Sequence, residues 1–444
     1  MYVFRDARLF KRGLHRELAI VASCLGISCF PAGAQPVSCE IDAPPRLLNQ
    51  EVVLQRVALC NRDVSNAKRT VIASQADHQV AGQAPNPTLT AGVGSVNPKL
   101  GIGAGSYSDK TFDTSLRYEQ LIERGGKRDL RSRSAEQLVM ASKQDVLDAL
   151  RQQGTAALQA MVDLAAADEK VSLLSEIAAL YEETLRANTR RTERGDLAPI
   201  DAQRQEIDST RAQIDLRQAQ ADAARARLTL AGLLAWESHA NLLQADPAIL
   251  DSEPITADRF DPAERTDIKA ARLRFEAALV QRDLAQAQSK ADVTAGLQLD
   301  HWPTSASNST GTGNTFSVTA SFPLMVRHSF DGELARTISD SEAARETLQR
   351  IEAGAKADWV RMNADVASAQ ARLQLLRNEQ IPRAEQVARA AELGYSKGAL
   401  SVLELLDARR VLRQTRLDVL AARADLARAT LARNRWIESS PDNK

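Results

Sequence analysis

The chain has 444 residues, enough for a large structure or several domains, with 57 basic and 57 acidic side chains. Because this balance gives no strong global field, we expect no nucleic-acid partner. Hydrophobic residues make up 44% of the chain but aromatic residues only 4%. Such a composition suits helices packed along their length better than one thick core.

The first 34 residues predict an export signal peptide. A basic stretch precedes the mostly apolar run Leu18–Phe30, and Ala32-Gly33-Ala34 has the small-x-small form of a cleavage site. The apolar run is shorter than the roughly 20 residues of a spanning helix, which disfavours an inner-membrane anchor. A lipoprotein signal ending at Cys24 remains an alternative. No later segment predicts a transmembrane helix, so a membrane-spanning part would have to consist of β-strands.

Two cysteines, Cys39 and Cys60, follow the predicted signal. An exported chain can form a disulfide, and two cysteines alone match no metal-binding motif. A disulfide and two free buried thiols are both compatible with the sequence.

An internal duplication organises the rest of the chain. Thr90-Ala91-Gly92-Val93 recurs as Thr294-Ala295-Gly296-Leu297 after 204 residues, and Gly195 recurs as Gly398 after 203. A repeat of this length indicates two similar halves rather than a solenoid. We predict an N-terminal periplasmic segment (35–47), repeat 1 (48–234), an equatorial linker (235–261), repeat 2 (262–437) and a C-terminal tail (438–444).

Each repeat contains two runs of alternating polar and apolar residues. In Thr315–Leu324, Phe316, Val318, Ala320 and Phe322 share one face, as in a β-strand with one apolar side. The predicted strands span about 87–97, 111–121, 291–302 and 314–325, the length of tilted membrane-spanning strands. Four strands cannot close a barrel without free edges. Several chains must therefore contribute; three copies would supply twelve strands, and counting alone does not exclude two or four.

The long segments of each repeat predict coiled helices. The predicted helical stretches are Leu48–Ala81, Gly125–Thr192 and Pro199–Leu234 in repeat 1 and Ala263–Lys290, Gly332–Leu393 and Val402–Trp436 in repeat 2. Leu405, Leu412, Val419 and Leu426 recur every seven residues. Two other rows have the same spacing: Ala408, Thr415, Ala422 and Ala429 in repeat 2, and Ile200, Ile207, Ile214, Ala221 and Leu228 in repeat 1. Spacing of this kind is typical of coiled-coil seams. A stretch of about 65 residues would be roughly 100 Å long as one helix, which suits a tube across a wide space.

No pattern for catalysis, a cofactor or a tightly bound metal appears in the sequence. None of the five histidines has a partner at metal-ligand spacing, and the glycines at 101–105 lack a following strand and helix. We therefore expect neither an enzyme nor a cofactor. Asp201 follows Gly195, and Glu404 and Asp407 follow Gly398, the two glycines at which the helical pattern breaks. In an oligomer these carboxylates would form rings that favour cations in a narrow pore. An ordinary acidic helix start is the alternative reading.

These features together resemble the TolC-like outer membrane factors over nearly the whole mature chain. The most specific stretch is Gly394-Tyr395-Ser396-Lys397-Gly398 followed by Val402-Leu403-Glu404-Leu405-Leu406-Asp407, with Arg194-Gly195-Asp196-Leu197 as its counterpart in repeat 1. Ile122-Glu123-Arg124-Gly125-Gly126-Lys127-Arg128 is similar to the Glu-Leu-Gly-Gly-Lys-Arg motif of the CzcC-like branch, which serves heavy-metal resistance pumps, although Arg124 replaces the usual Leu.

The resemblance implies a mixed α and β membrane protein. It would be a homotrimer with a twelve-stranded outer-membrane barrel, four strands from each chain, continuous with a periplasmic α-helical barrel. The partners it implies are the lipid bilayer, a periplasmic membrane-fusion adaptor and an inner-membrane pump of the RND type. Its gate maps to Asp201, Tyr395, Glu404 and Asp407, and its adaptor-contacting tips map to Arg194, Gly195, Asp196, Leu197, Lys397, Gly398, Ala399 and Leu400.

One departure concerns the gate. The best-known family member has a basic gate residue two positions after the tip glycine, where this chain has Leu400. The resemblance favours export of divalent cations such as cobalt, zinc, cadmium or nickel. Drug efflux and type I protein secretion are alternatives, and a periplasmic coiled-coil scaffold or adaptor is an alternative of another class.

Overall fold

The computed structural model describes residues 39, 43–96, 110, 112–195, 198–255, 261–303 and 313–438. The predicted signal peptide, the alternative lipidation site at Cys24, the tip residues Asp196 and Leu197, and most of the predicted C-terminal tail lie outside these residues.

Helices make up most of the described chain. The helix α3 has 67 residues, which corresponds to a length of about 100 Å. Among the described residues, no helix is both long and apolar enough to cross a membrane. The α-helices are α1 (Gln50–Cys60), α2 (Arg62–Gly82), α3 (Lys127–Glu193), α4 (Pro199–Leu234), α5 (Thr266–Gln288), α6 (Asp331–Leu375), α7 (Ile381–Ser396) and α8 (Val402–Glu438).

Two of the continuous helical stretches expected from the sequence are interrupted. Asn61 separates α1 from α2, because its side chain accepts hydrogen bonds from the backbone N–H groups of Asp63 and Val64 and so caps a new helix. A π-helical turn at Leu376–Gln380 separates α6 from α7. Pro382, the second residue of α7, has no N–H for a regular helical bond.

The strands form one antiparallel sheet in the order β1 (Thr88–Gly94), β2 (Asp113–Ile122), β3 (Val293–Trp302) and β4 (Gly313–Ser321). Strands β2 and β3 join the two halves of the chain, and β1 and β4 are the outer strands. Strand β4 ends four residues before the expected boundary at 325. Pro323 follows closely, and proline cannot donate to a ladder.

The two faces of this sheet differ in chemistry. The register places Leu89 beside Tyr118, Tyr118 beside Leu297, and Leu297 beside Val318, so one apolar row crosses all four strands. The neighbouring row is polar, with Thr90, Arg117, Gln298 and Ser317 paired in turn. The apolar row is exposed in the single chain, from 43% for Tyr118 to 71% for Val318.

The main hydrophobic core surrounds the middle of α3. Leu158, Met161 and Leu164 of α3 pack against Leu230 and Leu234 at the end of α4. The segment between the repeats joins the same core, and Leu48 bridges to Ala245 within it.

The N-terminal end of the described chain is fixed beside this core. Cys39 and Cys60 form a disulfide, which decides between the two states that the sequence left open. Arg56 reaches the end of α4, where its Nε donates to the carbonyl oxygen of Leu234 at 3.1 Å, and it stacks over the ring of Trp236. A covalent and a polar link therefore hold this segment in place.

Candidate functional site

The first tip joins α3 to α4 and has a left-handed turn at its centre. Gly195 has φ +79°, a conformation in which a side chain would be strained, and its N–H donates to the carbonyl oxygen of Thr192 at 3.0 Å. Arg194 caps α3, and Pro199 begins α4 with the fixed φ that a first helical position favours. We refer to α3 and α4 as hairpin 1.

The second tip joins α7 to α8, which we call hairpin 2. Gly398 has φ +72°, and Ala399 donates to the carbonyl oxygen of Gly394 at 2.8 Å. Leu400 packs directly on Gly394, where a methyl group added to the glycine would lie 2.7 Å from the Leu400 side chain. In this chain the residue at position 400 therefore closes the turn by apolar packing.

A polar network connects the two hairpins just behind the tips. Tyr395 of α7 donates its hydroxyl to Oδ1 of Asn188 in α3 at 3.1 Å. Arg191 of α3 donates to the same phenolic oxygen at 3.1 Å. Asn188, which is 2% exposed, in turn donates to the side chain of the fully buried Gln205 in α4. The network therefore links both helices of hairpin 1 to hairpin 2.

Glu404 has a local structural role. Its carboxylate accepts hydrogen bonds from the backbone N–H and the hydroxyl of Ser401, each at 2.8 Å, and the Ser401 hydroxyl accepts from the Glu404 N–H. This reciprocal arrangement is a capping box at the start of α8. The backbone N–H of Ser401, followed by its hydroxyl, holds the pKa of Glu404 below the usual value.

The other predicted gate carboxylates are not joined to Tyr395. Asp201 pairs within its own helix with Arg204 at 3.7 Å. Asp407 is exposed one turn after Glu404 on α8 and has no ion pair to any described residue. The fold thus brings Tyr395 to α3, while Asp201, Glu404 and Asp407 lie in the first two turns of α4 and α8.

Three arginines of α8 extend the connection between the hairpins. Arg409 donates to the hydroxyl of Thr184 in α3 at 2.9 Å. Arg410 pairs with Asp208 of α4, and Arg413 pairs with Asp215 of α4 at 3.1 Å. Asp208 is 6% exposed, whereas Asp215 is 39% exposed.

Sequence reasoning did not identify Asn188, Arg191, Gln205 or Asp208. A signal for two of them exists: Asn188 lies seven residues after buried Tyr181, and Gln205 lies seven residues before buried Ala212. A polar residue at a buried heptad position commonly sets the register of packed helices.

Comparison with protein-family models gives a match to the outer membrane efflux protein family over residues 53–235 and 262–432. The chain belongs to the outer membrane efflux protein family. The two matched segments fall on either side of the segment between the repeats, and the family predicted from the sequence is confirmed.

Among characterised family relatives, the chain is 23% identical to the cobalt-zinc-cadmium resistance protein CzcC of Cupriavidus metallidurans. The match extends over 382 residues, 84% of this chain and 86% of CzcC. This relationship supports the resemblance to the CzcC-like branch.

Solved structures of family channels share the fold. CusC matches with a TM-score of 0.74 at 16% identity, covering 92% of this chain and 98% of CusC. The outer-membrane channel OprN matches with a TM-score of 0.69 at 20% identity, covering 87% of this chain and 89% of OprN. The outer membrane protein VceC of Vibrio cholerae matches with a TM-score of 0.68 at 18% identity, covering 87% of this chain and 95% of VceC. The described part of the chain holds no group of three or more side chains suited to bind a metal ion.

Proposed function

We propose that this protein is the outer-membrane channel of a tripartite export system and that it passes divalent heavy-metal cations to the exterior. The observation that carries the proposal is the two-faced sheet. An apolar row crosses all four strands and is exposed in the single chain, and the adjacent row is polar. A membrane barrel needs this alternation, with apolar side chains towards lipid and polar side chains towards the lumen.

The edges of the sheet support assembly from three copies. Strands β1 and β4 each pair on one side only among the described strands. Free strand edges are not tolerated in lipid, so β4 of one copy would pair with β1 of the next. Three copies would give twelve strands and leave no edge.

The helices offer a matching interface. Ile200, Ile207, Ile214 and Leu228 of α4 are 55 to 67% exposed, although they lie on a coiled-coil row. Within the chain α4 instead buries the face containing Ala212, Ala219 and Ala223. The uncovered isoleucine row would pack against a neighbouring copy in a helical barrel.

Cross-linking tests this assembly directly. Cysteines replacing Thr90 in β1 and Thr319 in β4 lie on the outer strands of one sheet. Oxidation of the double variant should give covalent trimers on denaturing gels, and each single variant should give none. Covalent dimers alone, or recovery of the protein in the soluble periplasm, would reject a trimeric outer-membrane channel.

The proposed cargo rests on the relative CzcC, described as a cobalt-zinc-cadmium resistance protein. The exposed carboxylates of Glu404 and Asp407 near the second tip would favour cations in a pore. In this proposal an RND-type pump in the inner membrane supplies the energy, and a periplasmic adaptor binds the two tips.

Deletion of the gene in a strain expressing the cognate pump tests the cargo. Tolerance to cobalt, nickel, zinc and cadmium should fall and should return on complementation, while tolerance to antibiotics should not change. Loss of antibiotic tolerance with unchanged metal tolerance would instead indicate a drug-efflux channel, and loss of a secreted protein would indicate type I secretion.

A further inference from the structure

The disulfide between Cys39 and Cys60 fixes the segment that precedes α1. Cys39 lies in that segment, and Cys60 is the last residue of α1. The other two cysteines, Cys24 and Cys29, fall within the predicted signal peptide. Cleavage at the predicted site would therefore leave two thiols, which allow a single pairing. Oxidation of the exported chain would then give one product, with no exchange between alternative pairs.

The disulfide holds the backbone of Cys39 beside a buried charge. Arg56 of α1 is 9% exposed, and its guanidinium donates to the carbonyl oxygen of Cys39. Its Nε donates to the carbonyl oxygen of Leu234 at the end of α4. A buried charge is costly unless hydrogen bonds satisfy it. The carbonyl group of Cys39 is therefore one of the acceptors that allow Arg56 to be buried.

Arg56 in turn completes the C-terminal end of α4. The last carbonyl groups of a helix lack partners within the helix, and a positive charge near them is favourable. Arg56 donates to the carbonyl oxygens of Leu234 and Ala235, at 3.1 and 3.5 Å. Ala235 has φ +52°, which is strained for a residue with a side chain. Trp236 follows and lies against the guanidinium, 4.5 Å from ring centroid to Cζ. The contacts therefore lead from the disulfide through Arg56 to the end of repeat 1.

The burial of Cys60 indicates when the disulfide must form. Cys60 is 7% exposed and lies on α1 one turn after Val57 and two turns after Val53, both of which are at most 1% exposed in the main core. Thiol–disulfide exchange requires the attacking sulfur to reach its target. Once α1 has packed on the core, a protein catalyst cannot reach Cys60. The two thiols must therefore be oxidised before this packing is complete.

We propose that the exported chain is a substrate of a periplasmic dithiol oxidase, and that the disulfide so formed holds the end of α4 through Arg56. The thiols of Cys39 and Cys60 lose two protons and two electrons as the S–S bond forms, and the disulfide of the oxidase takes them up and becomes two thiols. This inference rests on the export of the chain that the proposed function includes. It does not depend on the cargo or on the pump.

Expression of the full-length protein in strains with and without the periplasmic dithiol oxidase tests the first part of the proposal. A maleimide of high mass labels free thiols, and denaturing gels of unheated samples measure the assembled protein. Without the oxidase, both thiols should be labelled and the assembled fraction should fall several-fold. Cystine in the medium, a small disulfide oxidant, should restore the bond and the assembled fraction. Complete oxidation without either oxidant would overturn the proposal.

The double variant Cys39→Ser with Cys60→Ser is the control for other substrates of the oxidase. It has no thiols to oxidise, so its assembled fraction should be equally low in both strains, with or without cystine. A further fall in the strain without the oxidase would assign the loss to another protein and reject the proposal. If the wild type stays in the soluble periplasm of both strains, the proposed channel fails, whereas the thiol labelling still decides whether the oxidase acts on this chain.

Variants of Arg56 test the second part of the proposal. Arg56→Gln should keep the disulfide but accelerate hydrogen exchange at residues 230–236, as the double serine variant should, while Arg56→Lys should restore part of the protection because it keeps the charge. Arg62→Gln is the matched control, since Arg62 is 73% exposed and pairs with Glu237 on the surface. Exchange at 230–236 that is unchanged in Arg56→Gln and in the double serine variant would reject the link to α4.

Discussion

Gly126 and Phe330 begin the two longest helices of their repeats with the same left-handed backbone, at φ +71° and +64°, and they are 204 residues apart. The duplicated fold requires this conformation at both positions. Glycine adopts it at no steric cost, while phenylalanine is strained by it. The Phe330 ring packs edge-on against His328, with 4.4 Å between ring centroids.

Substitution at the first of these positions should destabilise the fold. Gly126→Ala places a methyl group on a left-handed residue and should cost about 1 kcal/mol, although nothing lies within 4 Å of that methyl group. Gly354→Ala, inside α6 and equally free of neighbours, should instead stabilise the protein by about 1 kcal/mol. The temperature at which the assembled protein dissociates on denaturing gels measures both effects. A lower dissociation temperature for both variants would contradict the explanation.

Removal of the Tyr395 hydroxyl should loosen the contact between the hairpins. Tyr395→Phe loses the bond to Asn188 and the one from Arg191, and it leaves the buried Asn188 oxygen without that donor. The closed state should lose about 1 to 2 kcal/mol of stability relative to the open state. Bilayer conductance should rise, and Tyr118→Phe on the apolar row of the sheet serves as the control. Equal conductance of Tyr395→Phe and wild type would show that the network does not hold the tips.

Protonation of Glu404 should loosen the start of α8. The pKa of this carboxyl is lowered in the folded protein by the backbone N–H of Ser401 and by its hydroxyl. Its contribution to stability is therefore present above the unfolded-state pKa and is lost as pH falls through the folded-state pKa. Hydrogen exchange at residues 401–405, corrected for intrinsic rates, should accelerate as the pH falls below the ordinary pKa of a glutamate side chain.

The variant Glu404→Gln is the control for this pH effect. It cannot ionise, so exchange at the start of α8 should be faster than in the wild type at neutral pH and should show no further change on acidification. A variant with the same pH response as the wild type would assign the effect to another group.

A charge on the apolar row of the sheet should disrupt insertion. Val318 is 71% exposed on that row near the middle of β4, and Thr319 is the next residue on the opposite face. Val318→Arg should cost about 2 to 4 kcal/mol in the membrane and reduce the amount of assembled protein. Thr319→Arg should assemble normally. The reverse result would mean that the apolar row faces the lumen.

Loss of the disulfide should destabilise the region around the main core. Cys39 and Cys60 close a loop of 21 residues, for which the chain-entropy estimate is about 3 kcal/mol. The double variant Cys39→Ser with Cys60→Ser should dissociate at a lower temperature than the wild type. Reductant should lower the dissociation temperature of the wild type and leave that of the double variant unchanged. A response of the serine variant to reductant would point to a different cause.

Strands, long helices and glycine turns were predictable because each depends on local sequence. The alternation through Phe316 and Val318 appears in the sheet, and Gly195 and Gly398 have the positive φ of turn residues. The interruption of the helix before Pro382 was missed because a proline can be accommodated by a widened turn as well as by a helix end.

The partners of the predicted gate residues depend on contacts distant in sequence. Tyr395 was found through its motif, but Asn188 and Arg191, 207 and 204 residues earlier, could not be paired with it without the packing of the hairpins. Glu404 lies three residues after Ser401, which is the spacing of a capping box. Its contacts in the fold are those of the alternative interpretation, an acidic helix start.

The π-helical turn at Leu376–Gln380 has a mechanical consequence. Hairpin 1 contains α3, which is regular over 67 residues. The corresponding stretch of repeat 2 is divided by the turn into α6 and α7. Since helices bend most readily at such turns and at proline, we expect bending stiffness to differ between the two halves of each protomer. Hairpin 1 would then stay rigid, and α7 would bend relative to α6 at the π-helical turn.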